Sequence, residues 1–563
     1  MVDLMTPQGE ALLESGQIPW QIYPRPQMRR ESYVNLNGYW DYTVSPHADF
    51  PAVYDSKILA PFCPESQLSG IKTHPKDGDY LYYRRSFSLP EGFCKGKVLL
   101  HIGAADQIAK VYVNQICVGT HVGGYESFTL DITHALREEN ELIVQVQDDL
   151  RDQSHCYGKQ TLTRGGMWYT PVSGIWQTVW LESVPERYIE KLNIENRGES
   201  VTIFTLPPMD GTVQVANLGT YPLENGRVTI TLKQPHFWSP EDPYLYDFTV
   251  TAGEDVVASY FALRSLEIQK VGGYQRLLLN GKPYFFHGLL DQGYWPDGLL
   301  TPPSPDSFGQ DILEMKALGF NTLRKHIKVE PEEFYYQCDK LGMVVFQDMV
   351  NNGDYGFFRD TALPTVGIQR LNDKHLHRDE TTRREFLREM EAAVNQLKNH
   401  PCICYWTIFN EGWGQFDSDR VFDRFLELDD TRFVDTTSGW FRRKKSHVDS
   451  RHVYFRKVKL KGKEKPLVLS EFGGYSYKPE GHVFNTEQTY GYGKFADQEE
   501  FAKAVEKLYR EQILPAKENG LCAAIYTQVS DVEDETNGLL SYDRKVCKLE
   551  KAPMLEIARL LTR

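Results

Sequence analysis

Two glutamates occupy positions where a pair of carboxyl groups could carry out chemistry. Glu411 follows the run Trp406-Thr-Ile-Phe-Asn, and Glu471 follows the run Pro466-Leu-Val-Leu-Ser. A buried strand end is a costly position for a charge unless the charge has partners or a function. Cleavage of a glycosidic bond needs one protonated carboxyl group and one ionised carboxylate, so these two residues suit that reaction.

A single glutamate at the end of a strand is more often a salt-bridge partner or a metal ligand than a catalytic group. Two such residues on separate runs, one of them preceded by Asn410, favour catalysis. A metal site would need a further cluster of histidines or carboxylates at ligand spacing, and the sequence has no HExxH motif. We therefore predict neither a metal ion nor another cofactor.

The segments that must position these carboxyl groups alternate between strand-like and helical patterns. Amphipathic helices fit between several strand-like runs, for example at 311–318, 332–341, 382–398 and 499–517. Eight such units in about 300 residues predict a (β/α)8 TIM barrel over residues 267–563, with the catalytic groups at the carboxyl ends of the strands. The predicted strands are Tyr284–Leu290, Asn321–His326, Met343–Asp348, Cys402–Asn410, Phe433–Gly439, His452–Arg456, Leu467–Phe472 and Leu521–Val529.

The first half of the chain has short strand-like segments and no helical period. Between Tyr33 and Val184 apolar and polar residues alternate, as in Leu142–Gln147, and glycine turns recur, which predicts a β-sandwich over residues 1–184. A shorter all-β stretch over residues 185–266 has the size of an immunoglobulin-like sandwich. The sequence thus predicts three domains.

The composition predicts an ordinary globular protein of a reducing compartment. The chain has 563 residues, of which 41% are hydrophobic. A net charge of −14 disfavours nucleic-acid and anionic-membrane partners, and no apolar run approaches the ~20 residues of a membrane-spanning helix. Nine scattered cysteines and an N-terminus broken by Pro7 and Gly9 predict a cytoplasmic protein without a signal peptide.

Several motifs resemble those of glycoside hydrolase family 2, the family of β-galactosidases, β-glucuronidases and β-mannosidases. They are Val34-Asn-Leu-Asn-Gly-Tyr-Trp40, Pro61-Phe-Cys-Pro-Glu-Ser66, Tyr82-Tyr-Arg-Arg85, Val172-Ser-Gly-Ile-Trp176, Phe237-Trp-Ser-Pro-Glu-Asp-Pro-Tyr-Leu-Tyr246 and Leu279-Asn-Gly-Lys-Pro-Tyr-Phe-Phe-His-Gly288. The resemblance covers nearly the whole chain. It implies a jelly-roll sugar-binding domain, an immunoglobulin-like sandwich and a TIM barrel, in that order, and hydrolysis with retention of the anomeric configuration.

The resemblance also implies roles for individual residues. Glu411 would be the general acid/base, Glu471 the nucleophile, and Asn410 the group that holds the sugar 2-hydroxyl. Arg324 would support the nucleophile and Tyr454 would hydrogen-bond to it, with a surface arginine and a core tyrosine as the alternative interpretations. The two catalytic carboxyl groups should then lie roughly 5–5.5 Å apart.

Four further residues are candidates for contacts with the sugar. His326 falls near a family histidine that faces the substrate, and Asp291 begins the loop after the first predicted strand. Tyr526 occupies the family's tryptophan position and would be the aromatic platform under the sugar, with Trp440 as a second candidate. Either aromatic residue could belong to the core instead.

The loop after the eighth strand bears on which sugar is bound. Family β-glucuronidases bind the substrate carboxylate there with an Asn-x-Lys motif, whereas this chain has Glu535 and Asn537 at the matching positions. An acidic group would repel a uronate. The sequence therefore predicts an exo-acting β-glycosidase for a terminal neutral sugar, most often galactose in this family.

Other specificities stay open at this stage. The loop at residues 291–297 lacks the histidine-rich segment of family β-galactosidases, so β-glucuronidase, β-galacturonidase, β-mannosidase, β-glucosidase and β-arabinopyranosidase activities are alternatives. A carbohydrate-binding protein without turnover is a further alternative, which the intact Asn410, Glu411 and Glu471 disfavour. The predicted partner is a small glycoside or oligosaccharide, and the chain could form a homo-oligomer, as family members commonly do.

Overall fold

The computed structural model describes residues 2–368 and 372–563. Two β-sandwiches precede an eight-stranded parallel barrel, so the predicted multidomain fold class is confirmed. The domain limits that we assign from the sequence, at residues 184 and 266, stay a prediction. Among the described residues, no helix combines the length and the apolar character that crossing a membrane requires.

The first sandwich packs a six-stranded antiparallel sheet against a four-stranded one. Strand alternation buries Leu142, Val144 and Val146 completely between the two sheets. The order in the larger sheet is Ser56–Ala60, Gly38–Ser45, Tyr80–Phe87, Asn140–Gln147, Ile108–Val113 and Ile116–Val122. The order in the smaller sheet is Tyr33–Asn35, Val179–Val184, Lys97–Ile102 and Phe128–Asp131. A short pair, Ala105–Asp106 with Gly174–Ile175, lies beside them.

The second sandwich is smaller and has its own core. Ile203 and Val250, from opposite sheets, are both fully buried in it. Its sheets contain Lys191–Arg197, Ser200–Leu206 and Arg227–Thr231 in one, and Gly219–Leu223, Gly211–Val215, Tyr246–Ala252 and Asp255–Phe261 in the other. A three-stranded antiparallel sheet of Leu266–Val271, Tyr274–Leu279 and Lys282–Pro283 leads from this sandwich into the barrel.

The barrel strands are almost completely buried, as expected for parallel strands covered on both faces. Barrel strands one to eight are Phe286–Asp291, Thr322–Lys325, Val344–Asp348, Ile403–Asn410, Phe433–Ser438, Asp449–Val453, Leu467–Gly473 and Leu521–Thr527. Hydrogen bonds join them in the order five, four, three, two, one, eight, seven, six. The barrel is therefore nearly closed, with the break between strands five and six.

Side chains bridge this break. Oγ of Ser438 on strand five lies 3.4 Å from Oγ of Ser450 and 3.0 Å from Nε2 of His452, both on strand six. Strand six begins at Asp449, three residues before its predicted start. The prediction missed Asp449, Ser450 and Arg451 because they are polar and lack the apolar pattern of the other barrel strands. The shift moves His452 inside the strand and leaves Tyr454 just after it.

Helices follow strands one to four, seven and eight. Residues 439–448 and 454–466, all of which are described, contain none. Asp379 caps the helix after strand three, because its carboxylate accepts from the backbone N–H of Thr382 at 2.7 Å. The helices are Pro7–Ser15, Asp306–Ala317, Glu332–Leu341, Glu380–Leu397, Ser418–Leu428, Gln498–Leu508, Leu514–Glu518 and Lys551–Thr562, with single turns at Thr133–Ala135, Phe358–Ala362, Leu363–Thr365, Asp373–His375 and Tyr509–Ile513. Two short strands, Tyr475–Ser476 and Tyr492–Lys494, pair after strand seven.

Residues 150–173, which we call the docking segment, extend from the first sandwich onto the mouth of the barrel. The backbone N–H groups of Tyr157 and Gly158 donate to the carbonyl oxygen of Asn351 at 3.1 and 3.3 Å, and the Tyr157 hydroxyl donates to the Gly353 carbonyl at 2.7 Å. These bonds fix the first sandwich against the loop that follows strand three. The sandwich thereby becomes part of the wall around the barrel mouth.

Candidate active site

A pocket opens at the carboxyl ends of the barrel strands, the face on which TIM barrels carry their catalytic groups. The docking segment contributes Lys159, Met167 and Trp168 to its wall. The barrel contributes Leu290, Gln292, His326, Ile327, Tyr355, Asn410, Glu411, Trp413, Tyr454, Glu471, Tyr490, Tyr492, Thr527 and Glu535. Both glutamates singled out in the sequence therefore line the same pocket.

Glu471 lies in strand seven and has a hydrogen-bond donor on each oxygen. Nη1 of Arg324 donates to Oε1 at 3.0 Å, and the hydroxyl of Tyr454 donates to Oε2 at 2.6 Å. Burial favours the neutral acid, but the nearby His452, Arg324 and His326 outweigh it and lower the pKa of Glu471 to about 2. The carboxylate is therefore ionised at neutral pH, as a nucleophile must be.

Arg324 is fully buried beneath the pocket, so the surface-arginine alternative is wrong. Its Nε donates to Oδ1 of Asp348 at 3.0 Å, and its Nη2 donates to Oδ1 of Asn410 at 2.9 Å. The amide oxygen of Asn410 is thus occupied, while its NH₂ group has no acceptor among the described residues. That group is available to a sugar hydroxyl at the pocket surface.

Glu411 directly follows strand four and has a left-handed backbone, with φ of +53°. Few residues other than glycine adopt this conformation, and it occurs preferentially at functional sites. The Glu411 N–H donates to the carbonyl oxygen of Ser438 at 2.9 Å, which fixes the turn against strand five. The side chain of Glu411 is 21% exposed, against 6% for Glu471, so Glu411 is the more open of the two to the pocket.

His452 joins the two glutamates and is absent from the residues singled out in the sequence. Its Nδ1 lies 2.7 Å from Oε1 of Glu411 and 3.5 Å from Oε2 of Glu471. One oxygen of Glu411 and one of Glu471 lie within 4.8 Å of each other. This approach of the two oxygens is compatible with direct attack by one carboxylate and favours a retaining pair over an inverting one, whose carboxyl groups lie roughly 6.5–9.5 Å apart.

His326 and Tyr454 both face the pocket. Nδ1 of His326 lies 2.6 Å from Oδ2 of Asp348, which leaves Nε2 for a ligand. Burial, and after it the positive charge of Lys159, lowers the pKa of His326 to about 4, so the imidazole is neutral near pH 7. The hydroxyl of Tyr454 lies at the surface of the pocket beside Glu471, so the core-tyrosine alternative is wrong.

Two of the predicted sugar contacts are wrong because the register is off by one residue. Tyr526 is fully buried and packs against Phe472, so its ring cannot contact a sugar; Thr527 reaches the pocket instead. Asp291 pairs with Lys325 at 2.7 Å and does not line the pocket, whereas Gln292 does. Successive strand residues point to opposite faces, so a shift of one residue exchanges pocket and core.

The second platform candidate, Trp440, also lies outside the pocket lining. Its ring packs edge-on against the ring of His452, with centroids 5.5 Å apart. Trp440 thus supports the histidine that contacts both glutamates. The aromatic wall of the pocket comes instead from five residues that we did not single out: Trp168, Tyr355, Trp413, Tyr490 and Tyr492. Their signal in the sequence is weak, because 13% of all residues in this chain are aromatic.

The strand-eight loop brings Glu535 into the pocket, and Asn537 lies buried behind it. Nδ2 of Asn537 donates to Oε1 of Glu535 at 3.0 Å, and the hydroxyl of Tyr169 donates to Oε2. Tyr169 belongs to the docking segment, so this contact also joins the two domains. Both oxygens of Glu535 therefore already accept a hydrogen bond.

Glu411, His452 and Glu471 also form a cluster that could hold a metal ion. One ligand atom from each residue lies within 4.8 Å of the other two. Carboxylate and imidazole groups are the usual nitrogen and oxygen ligands of zinc. The expectation that the protein works without a metal or another cofactor stays a prediction.

Two family models match successive parts of this chain. "Glycosyl hydrolases family 2, TIM barrel domain" matches residues 270–546, and "Glycosyl hydrolases family 2" matches residues 189–264. The matches cover most of the barrel and the second sandwich. They agree with the family that the sequence motifs resemble.

Individual relatives are distant. A β-galactosidase of Thermoanaerobacter pseudethanolicus is 26% identical over 62% of this chain and 48% of its own length, and a human β-glucuronidase is 24% identical over 60% and 56%. The matches thus span about half the length of these curated relatives. The solved structure of a β-D-glucuronidase for Dictyoglomus thermophilum superposes with a TM-score of 0.73 at 17% identity, covering 96% of this chain and 98% of the other. That likeness establishes the fold.

Proposed function

Because this chain belongs to glycoside hydrolase family 2, we propose that it is a retaining exo-acting β-glycosidase. The proposal assigns Glu471 as nucleophile and Glu411 as general acid/base. The observation that carries it is that one oxygen of each carboxyl group lies within 4.8 Å of the other, with Glu471 ionised among hydrogen-bond donors and Glu411 hydrogen-bonded to His452. The first sandwich walls one side of the barrel mouth, which suits the binding of a terminal sugar.

The geometry supports a double displacement. Glu471 attacks the anomeric carbon and forms a glycosyl-enzyme ester, while Glu411 transfers a proton to the departing oxygen of the aglycone. Glu411, now ionised, then takes a proton from water as that water attacks the anomeric carbon. The ester bond breaks, Glu471 leaves as a carboxylate, and the sugar is released in its original β configuration.

Three neighbouring residues stabilise the nucleophile and position the sugar for these steps. Arg324 and Tyr454 stabilise the charged form of Glu471 both before attack and after release. Asn410 presents its NH₂ group beside Glu411, where the 2-hydroxyl of a bound sugar would accept from it. A hydrogen bond at that hydroxyl strengthens in the transition state and lowers the barrier.

The strand-eight loop bears on the identity of the glycone. The sequence favours a neutral sugar, galactose first, because Glu535 stands where family glucuronidases carry a uronate-binding motif. One of the relatives above is named a β-galactosidase and two are named β-glucuronidases. The charged side chains around the pocket bear on the choice between a neutral sugar and a uronic acid.

The function is tested with a panel of 4-nitrophenyl β-glycosides that contains galactoside, glucoside, mannoside, arabinopyranoside, glucuronide and galacturonide. We expect hydrolysis of at least one member, with proton NMR showing the β-anomer of the free sugar before mutarotation. Release of the α-anomer first would overturn double displacement. Binding of a sugar without hydrolysis of any member would favour a carbohydrate-binding protein instead.

A further inference from the structure

Lys159 is a cation in the wall of the pocket without an anionic partner. It comes from the docking segment and lines the same pocket as Glu411, Glu471 and Glu535. In the described part of the chain its ammonium has neither a carboxylate within 4.0 Å nor a hydrogen-bond acceptor. The ammonium lies 5.9 Å from the centroid of the Tyr169 ring.

The backbone on both sides of Lys159 is fixed. Its carbonyl oxygen accepts from the N–H of Tyr169 at 3.0 Å, and the buried Gln160 donates from Nε2 to Oδ2 of Asp106 at 2.9 Å. Gly158 packs closely on strand two's loop, since a Cβ added to it would lie 3.1 Å from the carbonyl oxygen of Ile327. The segment therefore presents the lysine beside the end of strand two, near His326.

Several other basic side chains around the barrel mouth have carboxylate partners, unlike Lys159. Arg324 pairs with Glu471, and Lys325 pairs with Asp291. In the docking segment itself, Arg164 lies 3.2 Å from a carboxylate oxygen of Asp534. Lys159 is solvated while the pocket is open, but a sugar that enters expels that water. The desolvated ammonium then needs an anion or an acceptor from the ligand.

The acidic side chain of Glu535 in the pocket would be expected to repel an anionic ligand. Its two oxygens, however, already accept from Asn537 and Tyr169. These donors stabilise the carboxylate where it is, and its remaining lone pairs can accept from sugar hydroxyls. Glu535 contacts the hydroxyl of Tyr169 and Lys159 lies over its ring, so the first is suited to a sugar hydroxyl and the second to a negative charge.

We propose that Lys159 is the anion-binding residue of the glycone subsite and that the terminal sugar it binds carries a carboxylate. The substrates would then be β-linked uronic acid glycosides, and the group that selects them would come from the first sandwich and not from the barrel. This inference rests on the proposed glycosidase function. A uronic acid replaces the neutral sugar expected from the sequence. That expectation rested on the strand-eight loop alone, whereas Lys159 comes from the docking segment.

The test compares pairs of substrates that differ only at carbon 6. These pairs are 4-nitrophenyl β-glucuronide with β-glucoside, and β-galacturonide with β-galactoside, measured on the wild type and on Lys159→Gln. We expect kcat/KM for a uronide to exceed that for its neutral partner in the wild type. Lys159→Gln should lower the uronide value about 10- to 100-fold, mainly through KM, and change the neutral value less than about threefold.

Lys110→Gln is the matched control, because Lys110 is exposed on the same sandwich and its loss changes the net charge equally. It should leave all four values unchanged. Three outcomes would overturn the inference and leave the glycosidase function standing. In Lys159→Gln, kcat/KM falls equally for uronides and neutral sugars, or falls for neither. Alternatively, the wild type has the higher kcat/KM for the neutral sugars.

A binding measurement covers the case in which no substrate of the panel is hydrolysed. Titration calorimetry with free glucuronate and galacturonate would then be run on the wild type and on Lys159→Gln. Binding that is lost in the variant supports the role of Lys159 although the proposed activity has failed. Absence of binding, or equal binding to both proteins, overturns the inference together with the function.

Discussion

Nδ1 of His452 lies 2.7 Å from Oε1 of Glu411. A contact of this length between a ring nitrogen and a carboxyl oxygen is a hydrogen bond, so one proton lies between the two atoms. Nε2 of the same ring is 3.0 Å from Oγ of Ser438, which fixes the ring orientation. Before any sugar binds, Glu411 is thus held in a defined position and shares a proton with His452.

Replacing His452 should therefore slow proton donation by Glu411 more than nucleophilic attack by Glu471. We expect His452→Ala to lower kcat about 10- to 100-fold for an alkyl glycoside, whose leaving group needs a proton, and far less for a dinitrophenyl glycoside. The ratio of the two rates measures this dependence on the leaving group. His47→Ala, a change at an exposed histidine, is the control and should leave the ratio alone. Equal losses on both substrates would indicate a structural role only.

Exchange of each glutamate should separate their roles. Glu471→Ala should lower kcat at least about 10⁴-fold, because it removes the carboxylate that attacks the anomeric carbon. Glu411→Ala should retain turnover of substrates with good leaving groups, and added azide should accelerate it and yield the β-glycosyl azide. Product analysis by NMR distinguishes the anomers, with Glu427→Ala on an exposed helix position as control. Lack of any azide effect in Glu411→Ala would contradict the assigned roles.

The pH profile should respond to Tyr454. Its hydroxyl donates to Glu471 and so favours the ionised form, which contributes to the low pKa of about 2. The acid limb of kcat/KM in the wild type should therefore lie at the acidic end of the pH range in which the protein is folded. Tyr454→Phe removes the donor, so the acid limb of kcat/KM should move upward by about one pH unit. An unchanged acid limb would show that the hydrogen bond does not tune the nucleophile.

The stability of the first sandwich should depend on pH through Asp106. Burial raises the pKa of this carboxyl to about 7, well above its value in an unfolded chain. Between about pH 4 and pH 7 the folded state holds the proton more tightly than the unfolded state, so stability falls as pH rises through that window.

Asp106→Asn removes this titration. Its free energy of unfolding relative to the wild type should rise between pH 4 and pH 7, by up to about 4 kcal/mol, and level off above. Urea unfolding at pH 5 and pH 8 measures the difference. Asp55→Asn, at an exposed position of the same sandwich, should show no such trend. A constant difference across pH would mean that Asp106 is ionised in the folded protein at both values.

Removal of metal ions should not affect turnover. We expect full activity after dialysis against EDTA, because the hydrogen bonds around Glu411 and Glu471 already supply the charge stabilisation that the reaction needs. Added Zn²⁺ should inhibit, since Glu411, His452 and Glu471 could bind it and thereby withdraw both carboxyl groups. Restoration of lost activity by a divalent ion after EDTA treatment would reverse this expectation.

The barrel could be predicted from the sequence because its strands are apolar runs of recognisable length. The same signal failed where strands are polar. Asp449, Ser450 and Arg451 form the first half of strand six, and without them His452 reads as an ordinary residue at a strand start. A period of two residues also allows a shift by one, which placed Tyr526 in the pocket and Thr527 outside it.

The buried network around Arg324 was only partly predictable. Its contact with Glu471 follows from the positions of both residues at the carboxyl ends of barrel strands, since all such ends meet at one mouth. Its contacts with Asp348 and Asn410 depend on side-chain reach, which no sequence spacing encodes. Lys159 lies more than 150 residues before strand two along the chain, and only the docking of the sandwich on the barrel brings it to the site.

Two domains build the pocket, and the two reactive carboxyl groups belong to only one of them. Lys159, Met167 and Trp168 lie in the docking segment, where Trp168 and the neighbouring Tyr169 pack against the same hydrophobic core that lies beneath Glu411 and Glu471. Substitutions in the docking segment would therefore change the wall of the pocket, and with it the range of substrates, without altering the reactive carboxyl groups. An exchanged sandwich would have to keep the contacts of the docking segment with the barrel core in order to place its side chains in the pocket.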